Sequence, residues 1–258
     1  MENKKDKIAI LIISCDNYKD LWKPCTKMFN KFWPDCSFDR YILTNFQEHN
    51  VDGFKSIQIG QDKSWSHGLK LALGHLDNDY EYVFTMVEDY FFIEKIDNFY
   101  VNTIFDSFIN DEGNFLSFFK LPSKLSYINE YYGELENNIP YRQSIGFTLW
   151  KIKTLIVLLD EKENAWEFEK NGVIRGFEYD KFFGTIKNYK VLNLVVKGKL
   201  VPAAYQEFKS HFTEIDIDRP VMSNQELLIE KFRGFFITQF LFNAPSGLKK
   251  FIYFGKLQ

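Results

Sequence analysis

"KIAILIISCD", residues 7–16, runs through six consecutive apolar residues, Ile8 to Ile13, before it turns small and polar. A half-exposed strand would alternate with period two. An unbroken apolar run of this length instead marks a strand buried on both faces, as in the parallel sheets of α/β proteins. The flanking sequence supplies the rest of that pattern. YKDLWKPCTKMFNKFWP (18–34) places Leu21, Trp22, Cys25, Met28, Phe29 and Phe32 at helical spacing and closes before Pro34. RYILTN (40–45) and FKSIQIG (54–60) read as two short strands. SWSHGLKLALGHLDND (64–79) reads as a helix with Ser64 and Ser66 as candidate caps, and YEYVFTMV (80–87) as another buried strand. Strand, helix, strand, strand, helix, strand is the order of an open sheet whose parallel strands need helical crossovers.

Further along the periodicity predicts a helix over 96–110, a strand over 114–121, a polar loop over 122–140, a strand over 145–151 running into a helix, and an alternating strand or hairpin over 189–200. No repeat or low-complexity linker divides the chain, so the 258 residues read as one domain over 1–223 with a tail, 224–258, of different character. The tail interleaves aromatic residues with Lys231, Arg233, Lys249, Lys250 and Lys256. It reads either as a helical segment packed on the sheet or as a basic, aromatic surface resting on an anionic membrane.

A net charge of -3 and a pI near 5.9 argue against nucleic acid as a partner, which needs concentrated positive charge. Cys15, Cys25 and Cys36 show neither CxxC spacing nor an even count, which fits a reducing compartment. The charged start MENKKDK and the short apolar run after it predict a cytoplasmic protein without a membrane span.

Four stretches could carry chemistry. TMVEDYFFIEK (85–95) sets Glu88 and Asp89 between two apolar clusters at the end of a buried strand. Ligands of open α/β sheets bind beyond the carboxyl ends of the strands, and hard cations take carboxylate oxygens there; a solvated loop start or an ion pair is the alternative. GQDKSWSHG (60–68) brings Asp62, Lys63, Ser64 and Trp65 to a helix start, where free amides and a lysine could meet a phosphate or ribose, or simply cap the helix over a buried Trp65. AWEFEKN (165–171) spaces Glu167 and Glu169 two apart, so on an extended backbone they share a face opposite Trp166 and Phe168; one could act as a general base beside an aromatic sugar platform, or the stretch is an exposed strand. His211 reads as a structural histidine or as a further ligand of a cation anchored by Asp89. P-loop, GxGxxG, GxSxG and HExxH motifs do not occur.

In order and spacing, IAILIISCDNYKDLWKPCTKMFNKFWPDC, GQDKSWSHGLKLAL, YVFTMVEDYFF, GFTLWKIKTLIVLL and AWEFE resemble bacterial glycosyltransferase-like proteins of capsule and lipopolysaccharide assembly, over about residues 7–215. The resemblance implies a GT-A fold: a Rossmann-like mixed sheet flanked by helices, with a C-terminal helical tail. It implies Ser14 and Asp16 beside a nucleotide base, Asp62 to Trp65 near the nucleotide or ribose, and Glu88-Asp89 in place of the acidic metal motif. Asp89 would then be a direct ligand of Mn²⁺ or Mg²⁺. GT-A enzymes commonly carry Asp-x-Asp, whereas here Val87 stands two residues before Asp89, which implies that the longer Glu88 contacts the ribose of the nucleotide sugar or a water rather than the cation. The implied activity moves a sugar from a nucleoside diphosphate sugar to a hydroxyl of a glycan or glycolipid acceptor, with Glu167 or Glu169 as base. A non-catalytic nucleotide- or glycan-binding protein of the same fold is the second reading. A nucleotidyltransferase is the third, disfavoured because SCDNYKD follows the first strand instead of a glycine-rich basic loop.

Overall fold

The structure, a computed structural model, describes residues 7–119, 125–137, 139 and 142–236. Strand β1 (Ile8–Ile13) lies inside the sheet, parallel to β2 (Asp39–Thr44) on one side and to β4 (Tyr82–Val87) on the other; β3 (Phe54–Gln58) extends the parallel half beyond β2. The apolar run of β1 is divided by the strand's period of two between two cores. Ile8, Ile10 and Ile12 pack with Leu21, Trp22, Cys25, Met28 and Phe29 of helix α1 (Lys19–Phe32), while Ala9, Leu11 and Ile13 pack with Leu69, Ala72 and Leu73 of α2 (Trp65–Leu76). Both faces are therefore filled by crossover helices, which is why no position of β1 could be polar.

After β4 comes the short β5 (Tyr90–Phe92), then α3 (Asn98–Asn110), capped by the Asp97 carboxylate accepting the Tyr100 N–H at 3.0 Å, and β6 (Phe115–Ser117). The second half of the sheet is built from β6, β7 (Leu125–Tyr127), β8 (Tyr132–Leu135), β9 (Thr148–Lys151) and β10 (Phe182–Thr185), in the overall order β3-β2-β1-β4-β9-β6-β10-β8-β7. Strand β9 runs antiparallel between β4 and β6, which makes the sheet mixed. Helices α4 (Ile152–Leu158) and α5 (Ala165–Arg175) cover the α2 side. Strand β11 (Val191–Asn193) pairs with β5, β12 (Val195–Val196) and β13 (Lys199–Leu200) form the hairpin read from the alternation, and α6 (Pro202–His211) and α7 (Asn224–Phe236) follow. This is a mixed α/β, GT-A-like sheet flanked by helices with a helical C-terminal region.

Two local expectations are corrected. The stretch 122–140 is not a loop throughout: β7 and β8 close the edge of the sheet, with Tyr132 and Leu135 buried and the Tyr132 ring stacked on Phe183 at 4.9 Å. Its Glu and Asn content masks a short strand buried on both faces, with Tyr132 in one core and Leu135 in the other. At the start of α2 only Ser64 caps, accepting the His67 N–H at 3.0 Å; Ser66 is buried within the first turn. Among the described residues no helix is long and apolar enough to cross a membrane. The part of the tail beyond residue 236 lies outside the described residues.

Candidate active site

The carboxyl ends of β1, β2, β3 and β4 meet at one edge of the sheet. After β1, the Asp16 carboxylate accepts the backbone N–H groups of Asn45 (2.9 Å), Phe46 (3.0 Å) and Gln47 (3.2 Å), and Asn45 Oδ1 accepts the Asp16 N–H in return (3.2 Å). The Asn45 amide also donates to the Gly60 carbonyl (3.1 Å). Asp16 thus ties the loops after β1 and β2 together, and Asn45 links them to the loop after β3. Gly60 takes φ +69° there, a left-handed conformation suited to glycine. Ser14 Oγ accepts the Trp22 indole N–H at 2.8 Å. Cys15 feels the charges of both Glu88 and Asp62, which raise its thiol further after burial has done so, so the ends of β1, β3 and β4 converge around it. Lys63 is exposed; Trp65 is half-buried and packs on Phe168 at 6.1 Å.

Glu88 and Asp89 follow β4 directly. Glu88 is buried, and burial together with the neighbouring Asp89 charge pushes its carboxyl well up; burial likewise pushes Asp89 up. The nearest fixed cation is Arg219, which partly counteracts both shifts. That guanidinium is already engaged: it donates to the two carboxylate oxygens of Asp20 at 2.6 and 2.7 Å and lies 4.4 Å from the Tyr18 ring centroid. The acidic pair is therefore buried with too little positive charge beside it, an arrangement a divalent cation would relieve.

Beyond Asp89, Tyr90 feels the charges of two acidic residues from different elements. Its hydroxyl accepts from the Asn193 amide (3.1 Å), and the charges of Asp89 and Glu169 both help hold its phenol above its usual range, after burial. Glu169 reaches this edge from α5, where burial raises its carboxyl to about 7 while the Ile145 N–H draws it part of the way back. The Ile145 carbonyl accepts the Thr85 hydroxyl from β4 at 2.7 Å, so the backbone of one residue links the strand bearing the acidic pair to the helix bearing Glu169.

The extended reading of AWEFEKN is corrected: the stretch is the first turns of α5, where residues two apart point to nearly opposite faces. Only Glu169 turns toward the strand ends. Glu167 closes a capping box, accepting the Asn164 N–H at 2.9 Å while Asn164 Oδ1 accepts the Glu167 N–H at 3.0 Å. The pattern Asn-x-x-Glu was visible in the sequence as the signal for this helix start. The proposed link between His211 and Asp89 is also corrected. His211 ends α6, hydrogen-bonds Glu207 at 3.2 Å and sits edge-on to Phe32. Neither of those partners is Asp89. Among the described residues no group of three or more His, Cys, Asp or Glu side chains is placed to hold a metal ion. Two carboxylates do match the needs of Mg²⁺ or Mn²⁺ when substrate phosphates supply the other oxygens.

The seat of α5 was not legible in the sequence. Arg142 and Gln143 are fully buried beneath it. Arg142 donates to the carbonyls of Gly176 (2.9 Å) and Tyr179 (3.2 Å), and its guanidinium carbon lies 4.2 Å from the Phe182 ring centroid. Gln143 lies against two glycines: a Cβ on Gly172 would come within 1.9 Å of its Nε2, and one on Gly176 within 2.8 Å of its Oε1. Glu163 adds a bidentate pair with Arg175 at 3.0 and 2.6 Å. Gly172→Ala is therefore expected to destabilise the fold by about 1–3 kcal/mol through overpacking against the fully buried Gln143 side chain. Chemical denaturation checks this, and an unchanged midpoint would show that Gln143 can yield.

No family model matches the chain, and no curated protein matches it. Solved structures do. Residues 1–349 of S. aureus TarS align at TM-score 0.50 and 12% identity over 93% of this chain and 75% of that one. A197 from STIV aligns at 0.42 and 15% identity over 76% and 89%. The galactosyltransferase LgtC, solved with donor and acceptor sugar analogs, aligns at 0.41 and 13% identity over 67% and 71%. At 12% identity the likeness to TarS is one of fold alone.

Proposed function

We propose that the chain is a glycosyltransferase that moves a sugar from a nucleoside diphosphate sugar to a hydroxyl of a surface polysaccharide or lipopolysaccharide acceptor, acting on the cytoplasmic side of the cell membrane. The observation that carries this reading is that Asp89 and Glu169 both lie near enough to Tyr90 for their charges to act on it, each with its own carboxyl raised by burial. One carboxylate at a strand end can serve the diphosphate end of a donor, and a second, titrating near neutrality, can take the proton of an attacking hydroxyl.

In this reading residues 1–223 form the transferase domain. The loops tied by Asp16 and Asn45, with Ser14, Asp62, Lys63, Ser64 and Trp65, shape the nucleotide subsite, and Glu88 supports Asp89. Asp89, with Glu88, would hold Mn²⁺ or Mg²⁺; when bound, that cation neutralises charge developing on the diphosphate leaving group. Arg219 adds a fixed positive charge at the same place. Glu169 accepts the acceptor proton, and Glu167 keeps the helix start in register. Incubation with labelled UDP- and GDP-sugars, Mn²⁺ and glycan acceptors tests the reading: transfer supports it, and neither binding nor turnover of any donor would remove it.

The second reading, a non-catalytic binder of the same fold, is favoured by two features: Asp16 already spends its acceptor capacity on three backbone amides, and Val87 stands where Asp-x-Asp enzymes carry a carboxylate. Nucleotide binding without turnover would select it.

Trp166 lies one turn before Glu169 on α5 and is 78% exposed. Residues three apart share a helix face, so this indole flanks the approach to the Glu169 carboxyl and offers a flat apolar surface to a sugar ring. Trp166→Ala is expected to raise the acceptor KM about 10-fold while leaving kcat and the donor KM nearly unchanged. A loss shared equally by all three would instead assign the residue to folding.

A further inference from the structure

The C-terminal helix α7 divides its charged and apolar residues between separate faces, and the structure fixes which face is free. Glu226 and Glu230, one turn apart, point to the β12–β13 hairpin. Glu226 pairs with Lys199 at 2.5 Å and Glu230 pairs with Lys197. The helix start is held as well: Glu226 accepts the Ser223 N–H at 2.9 Å, and the Met222 N–H donates to the Leu200 carbonyl at 2.9 Å. Leu228, Ile229 and Phe232 form a stripe on another face, at helical spacing, and are 55%, 61% and 65% exposed. Lys231 is exposed beside them.

Charge identifies what this stripe meets. From residue 231 to the end the chain carries Lys231, Arg233, Lys249, Lys250 and Lys256 and no Asp or Glu, although the whole chain has a net charge of -3. The remainder is therefore more acidic than the whole and would be repelled by an anionic surface, while this end would be drawn to it. The only two acids of α7 are neutralised by the hairpin lysines. An exposed apolar stripe beside lysine, in a segment cleared of acid, has the chemistry of a helix lying in the interface of an anionic bilayer.

We infer that the Leu228–Ile229–Phe232 face of α7 docks the protein on anionic lipid, with the apolar side chains entering the headgroup boundary and Lys231 beside them pairing with lipid phosphates. This surface is independent of the reading of Asp89 and Glu169, so it stands or falls separately from sugar transfer. The test uses the full chain with vesicles of phosphatidylcholine alone and of phosphatidylcholine mixed with phosphatidylglycerol, at low and high salt. Partitioning is expected only with phosphatidylglycerol, weakening at high salt. It is expected to fall about 10-fold or more in the triple variant Leu228→Ser, Ile229→Ser, Phe232→Ser. All three positions are exposed, so an unchanged thermal midpoint is expected and separates loss of binding from loss of fold. Absence of binding to phosphatidylglycerol vesicles, or equal partitioning of the triple variant, overturns the inference. So does a wild-type dimer that the triple variant converts to monomer, which would make a second copy the occupant. Intramolecular cross-links from position 229 to residues 237–258 in vesicle-free protein would likewise overturn it, since the chain's own end would then cover the stripe.

Discussion

Asp89→Asn is expected to lower sugar transfer by at least about 10³-fold while the protein stays folded and, at neutral pH, becomes no less stable than the wild type. The two effects have one cause. Asp89 is a carboxylate that burial holds above its ordinary range, and its nearest guanidinium, Arg219, is bound to Asp20. A carboxyl whose pKa is raised in the folded state contributes stability below its unfolded pKa and loses that contribution as pH rises through the folded value. Above that window the ionised Asp89 weighs against folding unless a cation joins it, and asparagine removes the burden along with the ligand. A thermal melt of wild type and variant, with and without Mn²⁺, reads both sides: the metal should stabilise only the wild type. Wild-type turnover in Asp89→Asn would take the residue out of the mechanism, and equal stabilisation of both proteins would move the cation elsewhere.

Glu169→Gln is expected to cost about 10²–10⁴-fold in kcat and to abolish the acidic limb of the pH profile. A general base must be ionised, and burial places this carboxyl at about 7. Wild-type kcat should therefore rise with pH through about 7, and the glutamine variant should be flat across that range. Stability should run the other way. The folded-state value lies above the ordinary 4.5, so Glu169 favours the folded state most below 4.5 and loses that contribution as pH rises to about 7. The variant should lack this decline. Glu167→Gln, by contrast, should change kcat little, because its carboxylate is occupied by the capping box. Full activity in Glu169→Gln, or a retained limb at neutral pH, would remove the base assignment.

The parallel half of the sheet was legible because burial on both faces leaves a local mark. Ile8 to Ile13, Tyr82 to Val87 and the periodic apolar residues of α1 and α2 each carry their own pattern within a dozen residues. The antiparallel half was harder to read. Strand β7 is the sheet edge and β8 lies beside it; at three and four residues they are too short to show a period, so Glu134 and its neighbours resembled a loop. The error at AWEFEKN has a similar origin: two glutamates two apart suit a strand, and only the Asn164–Glu167 cap and the packing of Phe168 beneath Trp65 decide for a helix.

By itself the sequence determined the order of strands and helices in the parallel half, hence which loops gather at its carboxyl edge, and it marked Glu88 and Asp89 as charges set among apolar residues. Those are consequences of local periodicity and of the cost of burying charge. Tertiary structure alone decided that Glu169 rather than Glu167 joins that edge and that Arg219 comes back to Asp20 from 199 residues away. It alone decided, too, that His211 belongs to Phe32 and that α7 turns its acids inward and leaves an apolar stripe free. Contacts between distant segments are fixed by packing and charge pairing in three dimensions, and neither leaves a period in the chain.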